Sequence, residues 1–383
     1  MGGTVSLCRG DPNQVCRVTP DRSATIALSS ETAKREAREG VLLIGNFLSA
    51  TGGKRSVCED LAHELRMEGW QTTCASDRTQ ALPKLRHILE TIWSQRHAYS
   101  VAQVDVFSGR AFIWAMAACL LLQVLSRPYV LTLHGGNLPK FALRWRRSLR
   151  WLMTRASAVT APSNYLVRAF LPLRPDLQLL PNGMSLNGYP FRLRPHVSAR
   201  LIWVRSFHEM YNPIMAVEVV AALVELHPDV HLTMIGPDRG DGSLERTRRR
   251  IEELDLAHAI TIVPGVQKSE LPPMLDRADI FINTTNIDNA PVTVYEALAC
   301  GLCVVSTNVG GIPDMLTDGT NALLIPRGDV AAMADTIDDL LADRLDCARL
   351  SGEARRTACQ SDWTVVLPRW ISILKSARDV YAS

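Results

Sequence analysis

From residue 41 onward, short apolar runs alternate with stretches of helical periodicity, and this alternation restricts the fold more than any other feature. VLLIGNF, QTTCA, VAQVDVF, YVLTLH, AVTAP and QLLPN lie before residue 190; RLIWVRS, HLTMIG, AITIVPG, DIFINTT, CVVST and ALLIP follow residue 197. Between them sit helical patterns such as RSVCEDLAHELRMEG, which closes at Gly69 as helices often do. Strands that alternate with helices build parallel sheets covered on both faces. The expectation is therefore α/β, with two doubly wound parallel sheets at 41–190 and 197–364, each long enough to bury its own core. Two such sheets in tandem bind ligands at the carboxyl ends of their strands, in the crevice between them.

Composition fits that class. Of the 383 residues 47% are apolar and 21% charged, the balance of a globular protein. A net charge of +3 gives no case for a nucleic-acid partner. The nine cysteines lack the dense spacing of a secreted disulfide framework, so a reducing, cytoplasmic compartment is expected. Residues 1–40 are polar, without sustained period and without the apolar core of a signal peptide. They read as a flexible tail, or as the product of a start codon assigned too early. The longest apolar run, Ala111 to Leu125, lies between Arg110 and Arg127 and is too short to span a bilayer, so a buried helix is expected. In KFALRWRRSLRWLMTRA, residues Lys140, Arg144, Arg146, Arg147, Arg150 and Arg155 interleave with Phe141, Trp145, Trp151 and Leu152. Such a basic helix rests on anionic lipid at the inner face of a membrane, receives an acidic acceptor, or simply presents a solvated face; the sequence leaves the three open.

The densest chemical signal is INTTNIDNAPVTVYEALACGLCVVSTNVGGIPDMLTDGTNALLIP, residues 282–326. A strand leads to one carboxylate, Asp288, and a helix carries a second, Glu296. A further strand, the turn Gly310–Gly311 and another strand follow. Acids eight positions apart at a helix start, beside flexible backbone, suit a ligand rich in hydroxyls and phosphates.

In its order this segment resembles the donor-binding half of the retaining glycosyltransferases of family 4, also called group 1, whose two Rossmann-like domains face a central cleft in the GT-B fold. The resemblance implies an acceptor-side domain at 41–190 and a donor domain at 197–364. The terminal helix, 365–383, would cross back onto the first domain, with Trp363 and Trp370 as anchors. It implies a nucleotide diphosphate sugar as donor, a glycan, lipid or small-molecule acceptor, and no required cofactor.

The resemblance also assigns residues. Glu296 would take the ribose hydroxyls. Asp288 stands where the family has its first Glu and would touch the transferred sugar; a loop or capping role competes equally for this shorter acid. Asn289, Ala290, Pro291 and Val292 replace the usual glycine-containing turn, and backbone amides at the helix start can still face a diphosphate. Pro291 suits a first-turn position. Arg205, ending RLIWVRS, matches the arginine that holds the diphosphate, a fixed cation that offsets charge as the glycosidic bond breaks. The family's companion lysine is absent: RSFHEMYNP places Met210 and Tyr211 there, with His208 as the nearest substitute. His134, followed by Gly135 and Gly136, would hydrogen-bond the transferred sugar. Gly52 and Gly53 resemble the loop that closes over the substrates, and Lys54 adds charge or is merely solvated. Gly310 and Gly311 read as backbone turns near the diphosphate. Asn182 and Gly183 match the P-N-G turn before the interdomain linker, with Gly183 expected at positive φ.

Three signals are discounted. Cys300-Gly-Leu-Cys303 has no second pair to bind zinc and reads as core packing. The sequon at Asn283 lies at a buried strand end. No H-E-x-x-H or clustered D-x-D argues for a metal, and metal-independent chemistry is expected. Two other readings remain at this level: a nucleotide-sugar 2-epimerase of the same architecture, and a family member that binds a nucleotide sugar without turnover.

Overall fold

A computed structural model of the chain describes residues 39–47 and 56–382. The tail, apart from its last two residues, and the loop with Gly52, Gly53 and Lys54 lie outside the described residues. Strands β1 (Gly40–Ile44), β2 (Gln71–Ala75), β3 (Val101–Val106), β4 (Tyr129–Leu133), β5 (Ala158–Ala161) and β6 (Gln178–Leu179) form the first sheet. Helices α1 (Val57–Met67), α2 (Ala81–Ser94), α3 (Arg110–Val124), α4 (Leu138–Arg155) and α5 (Asn164–Phe170) connect them. β1 begins at Gly40, one residue inside the stretch expected to be tail.

The second sheet contains β7 (Arg200–Val204), β8 (His231–Ile235), β9 (Ile260–Val263), β10 (Ile280–Asn283), β11 (Cys303–Thr307) and β12 (Leu323–Ile325). Its helices are α6 (Pro213–Leu223), α7 (Ser243–Glu253), α8 (Leu271–Arg277), α9 (Val292–Ala299), α10 (Ile312–Met315), α11 (Val330–Leu341) and α12 (Cys347–Cys359). The last helix, α13 (Trp363–Ala382), starts two residues before the expected 365.

Every strand pairing is parallel. That is why the central strands read as unbroken apolar runs: β1, β4 and β11 are buried at every position, since helices cover both faces. The first sheet runs β2-β1-β3-β4-β5-β6 and the second β12-β11-β10-β7-β8-β9. Strand order therefore reverses beside β1 and β3 in one lobe, and between β7 and β10 in the other. At such a reversal the crossover helices diverge to opposite faces and leave a crevice at the carboxyl ends.

Each sheet has a core on either side. α13 completes the first lobe: Trp363, Val366, Trp370 and Leu374 are buried with Val41, Leu43, Leu61 and Leu65. The linker returning the chain to the second lobe is pinned by Asp279, which is buried and accepts from Arg192 at 2.8 Å, Arg194 at 3.2 Å and Arg200 at 2.8 Å.

Two expectations are corrected. Gly183 is not among the glycines at positive φ; a Cβ there would lie 2.5 Å from the Trp363 ring, so close approach by α13 is what requires glycine. The apolar run at Ala111–Leu125 forms α3, but only one side is buried. Phe112, Ala115, Ala118, Cys119 and Leu122 face the core, whereas Ile113, Leu120 and Val124 face solvent.

Candidate active site

The reversal between β7 and β10 places two of the expected residues in contact. Arg205 follows β7 directly, and Asp288 lies in the loop after β10. Arg205 Nη2 donates to Asp288 Oδ2 at 2.6 Å, with the side chains 11% and 16% exposed. Arg205 Nε reaches Asn283 Oδ1 at 3.5 Å, and the guanidinium lies 5.2 Å from the Tyr211 ring centre. Tyr211, at the place of the missing lysine, thus supports the arginine through its π face instead of adding charge.

Met210 acts through its backbone, its carbonyl accepting from the Asn286 N–H at 2.7 Å. His208 caps its own turn: Nδ1 accepts the Met210 N–H at 3.0 Å, and Nε2 lies 3.8 Å from Asp241. Hydrogen bonds from the Glu209 and Ser243 backbone amides and the Ser243 hydroxyl outweigh desolvation and hold the Asp241 carboxyl down at about 2, so an anion faces His208.

The loop after β10 is held by close backbone packing. The Asn289 N–H donates to Asp288 Oδ1 at 2.8 Å, and the Gly311 N–H donates to the Asp288 carbonyl at 3.0 Å. Gly310 has φ +57°, and a Cβ on it would sit 2.0 Å from the Asp288 carbonyl oxygen. A Cβ on Gly311 would sit 2.0 Å from that of Asn289. Both positions accept only hydrogen without moving the Asp288 loop.

Pro291 is the N-cap of α9, one residue before the expected first turn, and Val292 opens the helix. Glu296, one turn on, is 4% exposed and its Oε1 accepts the Tyr189 hydroxyl at 2.6 Å. Burial first, and the Glu296 carboxylate second, push the Tyr189 hydroxyl far above the usual phenol range, so it stays a donor. Thr293 Oγ1, beside the α9 N-terminus, is buried and without a hydrogen-bond partner among the described residues. In sequence Thr293 reads only as a helix position.

In the first lobe, His134 follows β4. Its Nε2 lies 2.9 Å from Asp105 Oδ1, and its ring stacks on Phe107 with centroids 4.8 Å apart. Gln103 Nε2 bridges Asp105 Oδ1 at 2.8 Å and Thr132 at 2.9 Å. A neutral His134 thus donates from Nε2 and keeps Nδ1 as acceptor. Asp105 was not singled out in sequence; its signal is an acid inside the apolar run VAQVDVF. Lys84, also missed, is 4% exposed, donates to Asn46 Oδ1 at 2.6 Å and lies 5.0 Å from the Trp114 ring centre. Burial lowers its pKa, opposed by the charge of Asp105.

The two lobes meet at these loops. A Cβ on Gly136 would lie 2.9 Å from the Asp288 carbonyl carbon, so the loop after His134 abuts the loop after β10. Asn182 Nδ2 donates to the Ala290 carbonyl at 3.2 Å, and the Ser163 hydroxyl donates to the Asn289 side chain. Farther out, Arg168 pairs with Asp314 at 2.9 Å and Lys268 with Asp60 at 2.7 Å. Arg205, Asp288, Asn289, Gly310, Gly311 and the His134 loop therefore share one crevice. Arg146, Arg147 and Arg150 do not join it: they are exposed on α4. Cys300 and Cys303 are buried in separate core clusters, and Asn283 is buried, bonded to Ser306 at 2.9 Å.

Residues 193–357 match the family described as "Glycosyl transferases group 1", and residues 51–187 match "Glycosyltransferase Family 4". The chain belongs to the group 1 glycosyltransferases, of the family 4 type. A GDP-mannose-dependent alpha-(1-6)-phosphatidylinositol monomannoside mannosyltransferase of Mycolicibacterium smegmatis is 25% identical over 320 residues, 76% of this chain and 78% of the relative. A D-inositol 3-phosphate glycosyltransferase of Paenarthrobacter aurescens is 26% identical over 303 residues, 71% of this chain and 74% of its own. The structure of HepE from Anabaena with UDP and glucose superimposes with a TM-score of 0.71 at 16% identity, covering 88% of this chain and all of that one. Sucrose-phosphate synthase from Thermosynechococcus elongatus gives 0.73 at 16% identity, covering 90% of this chain and 100% of that one. The fold is GT-B, and the chain is a glycosyltransferase. These relatives favour neither an epimerase nor a member without turnover.

Proposed function

We propose that this glycosyltransferase moves a sugar, with retention of anomeric configuration, from a nucleoside diphosphate sugar to a glycan, lipid or small-molecule acceptor. The observation that carries the reading is the Arg205–Asp288 pair at the β7/β10 reversal, beside the open end of α9. GDP-mannose in the name of one relative and UDP in the neighbouring structures support a nucleotide-sugar donor.

On this reading the donor diphosphate meets Arg205 and the first amides of α9, which lack intrahelical partners. Thr293 Oγ1 gains a partner there. Glu296 takes the ribose hydroxyls, sharing its carboxylate with Tyr189. Asp288 and His134 orient the transferred sugar from opposite lobes, and Asp105 fixes the His134 tautomer. The bond from the anomeric carbon to the phosphate oxygen breaks while the acceptor oxygen bonds to the same face of that carbon. The acceptor proton passes to the leaving phosphate, so no protein carboxylate serves as base. Arg205 offsets the growing phosphate charge. Contact between the lobes excludes water, which would otherwise compete as acceptor. No resident metal is needed, and cysteine usage fits a cytoplasmic site of action.

Incubation with UDP-, GDP- and ADP-sugars, read by release of free nucleotide, tests the proposal. One donor is expected to release nucleoside diphosphate slowly to water and faster with acceptor. Conversion of a donor into its C2 epimer with no nucleotide released would overturn it.

A further inference from the structure

The first lobe has a face that the proposed transfer reaction does not use. Between Asp105 and Asp176 lie 70 residues with ten Lys or Arg and no Asp or Glu. The whole chain has 42 and 39, so the other 313 residues hold 32 basic against 39 acidic groups. The mild net charge therefore hides a strongly polarised molecule.

α4 carries six of the ten. Lys140, Arg144, Arg146, Arg147, Arg150 and Arg155 are all exposed, and none makes an ion pair among the described residues. Leu143, 82% exposed, stands among them. α3 packs alongside, Phe112 meeting Phe141 and Trp145 of α4 edge-on at 5.3 and 5.8 Å. Its outward residues Ile113, Leu120 and Val124 are 53%, 54% and 71% exposed, and their spacing of seven and four puts them on one stripe. Uncompensated cations thus adjoin unburied aliphatic side chains on neighbouring helices.

We infer that this face docks on a lipid bilayer bearing anionic headgroups. The arginines complement the headgroup charge, and the aliphatic chains enter the interface, where they leave water. An acidic glycan would satisfy the arginines but leave the stripe of α3 and Leu143 in water. α4 begins two residues after Gly136, at the crevice, kinks at Trp145, where φ −111° and ψ 23° leave the helical range, and continues to Arg155. If the transferase reading holds, and for this point alone the inference rests on it, docking brings a membrane-borne acceptor to the mouth of the cleft.

Co-sedimentation of the full chain with vesicles of phosphatidylcholine alone, or with about one third phosphatidylglycerol, tests this without donor. Binding is expected only to the anionic vesicles. Arg146→Ser, Arg147→Ser and Arg150→Ser together should lower the partition coefficient on the order of a hundredfold, from about 1 kcal/mol per basic residue. The triple Arg→Lys variant should retain binding, and Leu143→Ser with Ile113→Ser should weaken it at constant charge. Unfolding midpoints close to wild type show that the variants fold. No binding to anionic vesicles, or equal binding by the Ser triple variant, overturns the inference. So does binding of heparin, used as a soluble polyanion, while the Leu143→Ser/Ile113→Ser variant binds vesicles as well as wild type does. Nucleotide release is measured without vesicles, so failure of the transferase reading is seen separately.

Discussion

Arg205→Ala removes the cation that pairs with Asp288 at 2.6 Å and that the proposed donor diphosphate must meet. Two charges about 4 Å apart at an effective dielectric of about 20 attract by about 4 kcal/mol. Arg205 is 11% exposed, so screening takes a modest share, and about 2–4 kcal/mol of transition-state stabilisation is at stake. That corresponds to about a 30-fold to 1000-fold fall in kcat/KM for the donor. A second effect adds to it, because Asp288 then faces the phosphates with no cation between them. Asp288→Asn in the Arg205→Ala background relieves this repulsion, so the double variant should lose less than the two single losses combined, by at least about 1 kcal/mol. Initial rates of nucleotide release against donor concentration measure all four proteins. An Arg205→Ala enzyme within about threefold of wild type, or losses that add to within about 0.5 kcal/mol, would refute the reasoning.

Met210→Lys restores a cation near the crevice and should lower the donor KM by about tenfold, after solvent screening of a half-exposed position; an unchanged or raised KM contradicts this. Asp105→Ala removes the acceptor that holds the His134 Nε2–H and frees the imidazole tautomer and ring orientation, so kcat should fall by about tenfold to a hundredfold with donor KM nearly constant. Wild-type kcat, or an unaltered tautomer by nitrogen NMR, removes Asp105 from the account. Gly183→Ala forces a methyl into the Trp363 ring and should cost about 1–3 kcal/mol, seen as a lower unfolding midpoint; an unaltered midpoint would show that α13 yields freely.

Much of the architecture is legible in sequence because parallel strands are buried on both faces. VLLIG and CVVST can hardly be anything but central strands, and the helical stretches between them force the crossovers. The Arg205–Asp288 pair was not legible: both residues could be named, but their contact depends on strand order, which reverses between β7 and β10 through non-local pairing. Asp105 and Lys84 escaped for a related reason. An acid in a strand and a lysine in a helix have unremarkable neighbours in sequence, and only the β1/β3 reversal turns them toward Asn46 and His134. Gly183 shows the converse. Its turn motif suggested backbone freedom, yet what requires glycine is a tryptophan ring 180 residues away. The α3 run misled because hydropathy alone does not tell which side of a helix finds a partner.

A crystal structure of the chain with a bound nucleoside diphosphate tests the central claim most directly. Ribose hydroxyls within about 3 Å of the Glu296 carboxylate, and diphosphate oxygens within about 3 Å of the Arg205 guanidinium, are the predicted result. A nucleotide seated elsewhere, with Arg205 still locked to Asp288 and Glu296 closed off by Tyr189, would contradict it.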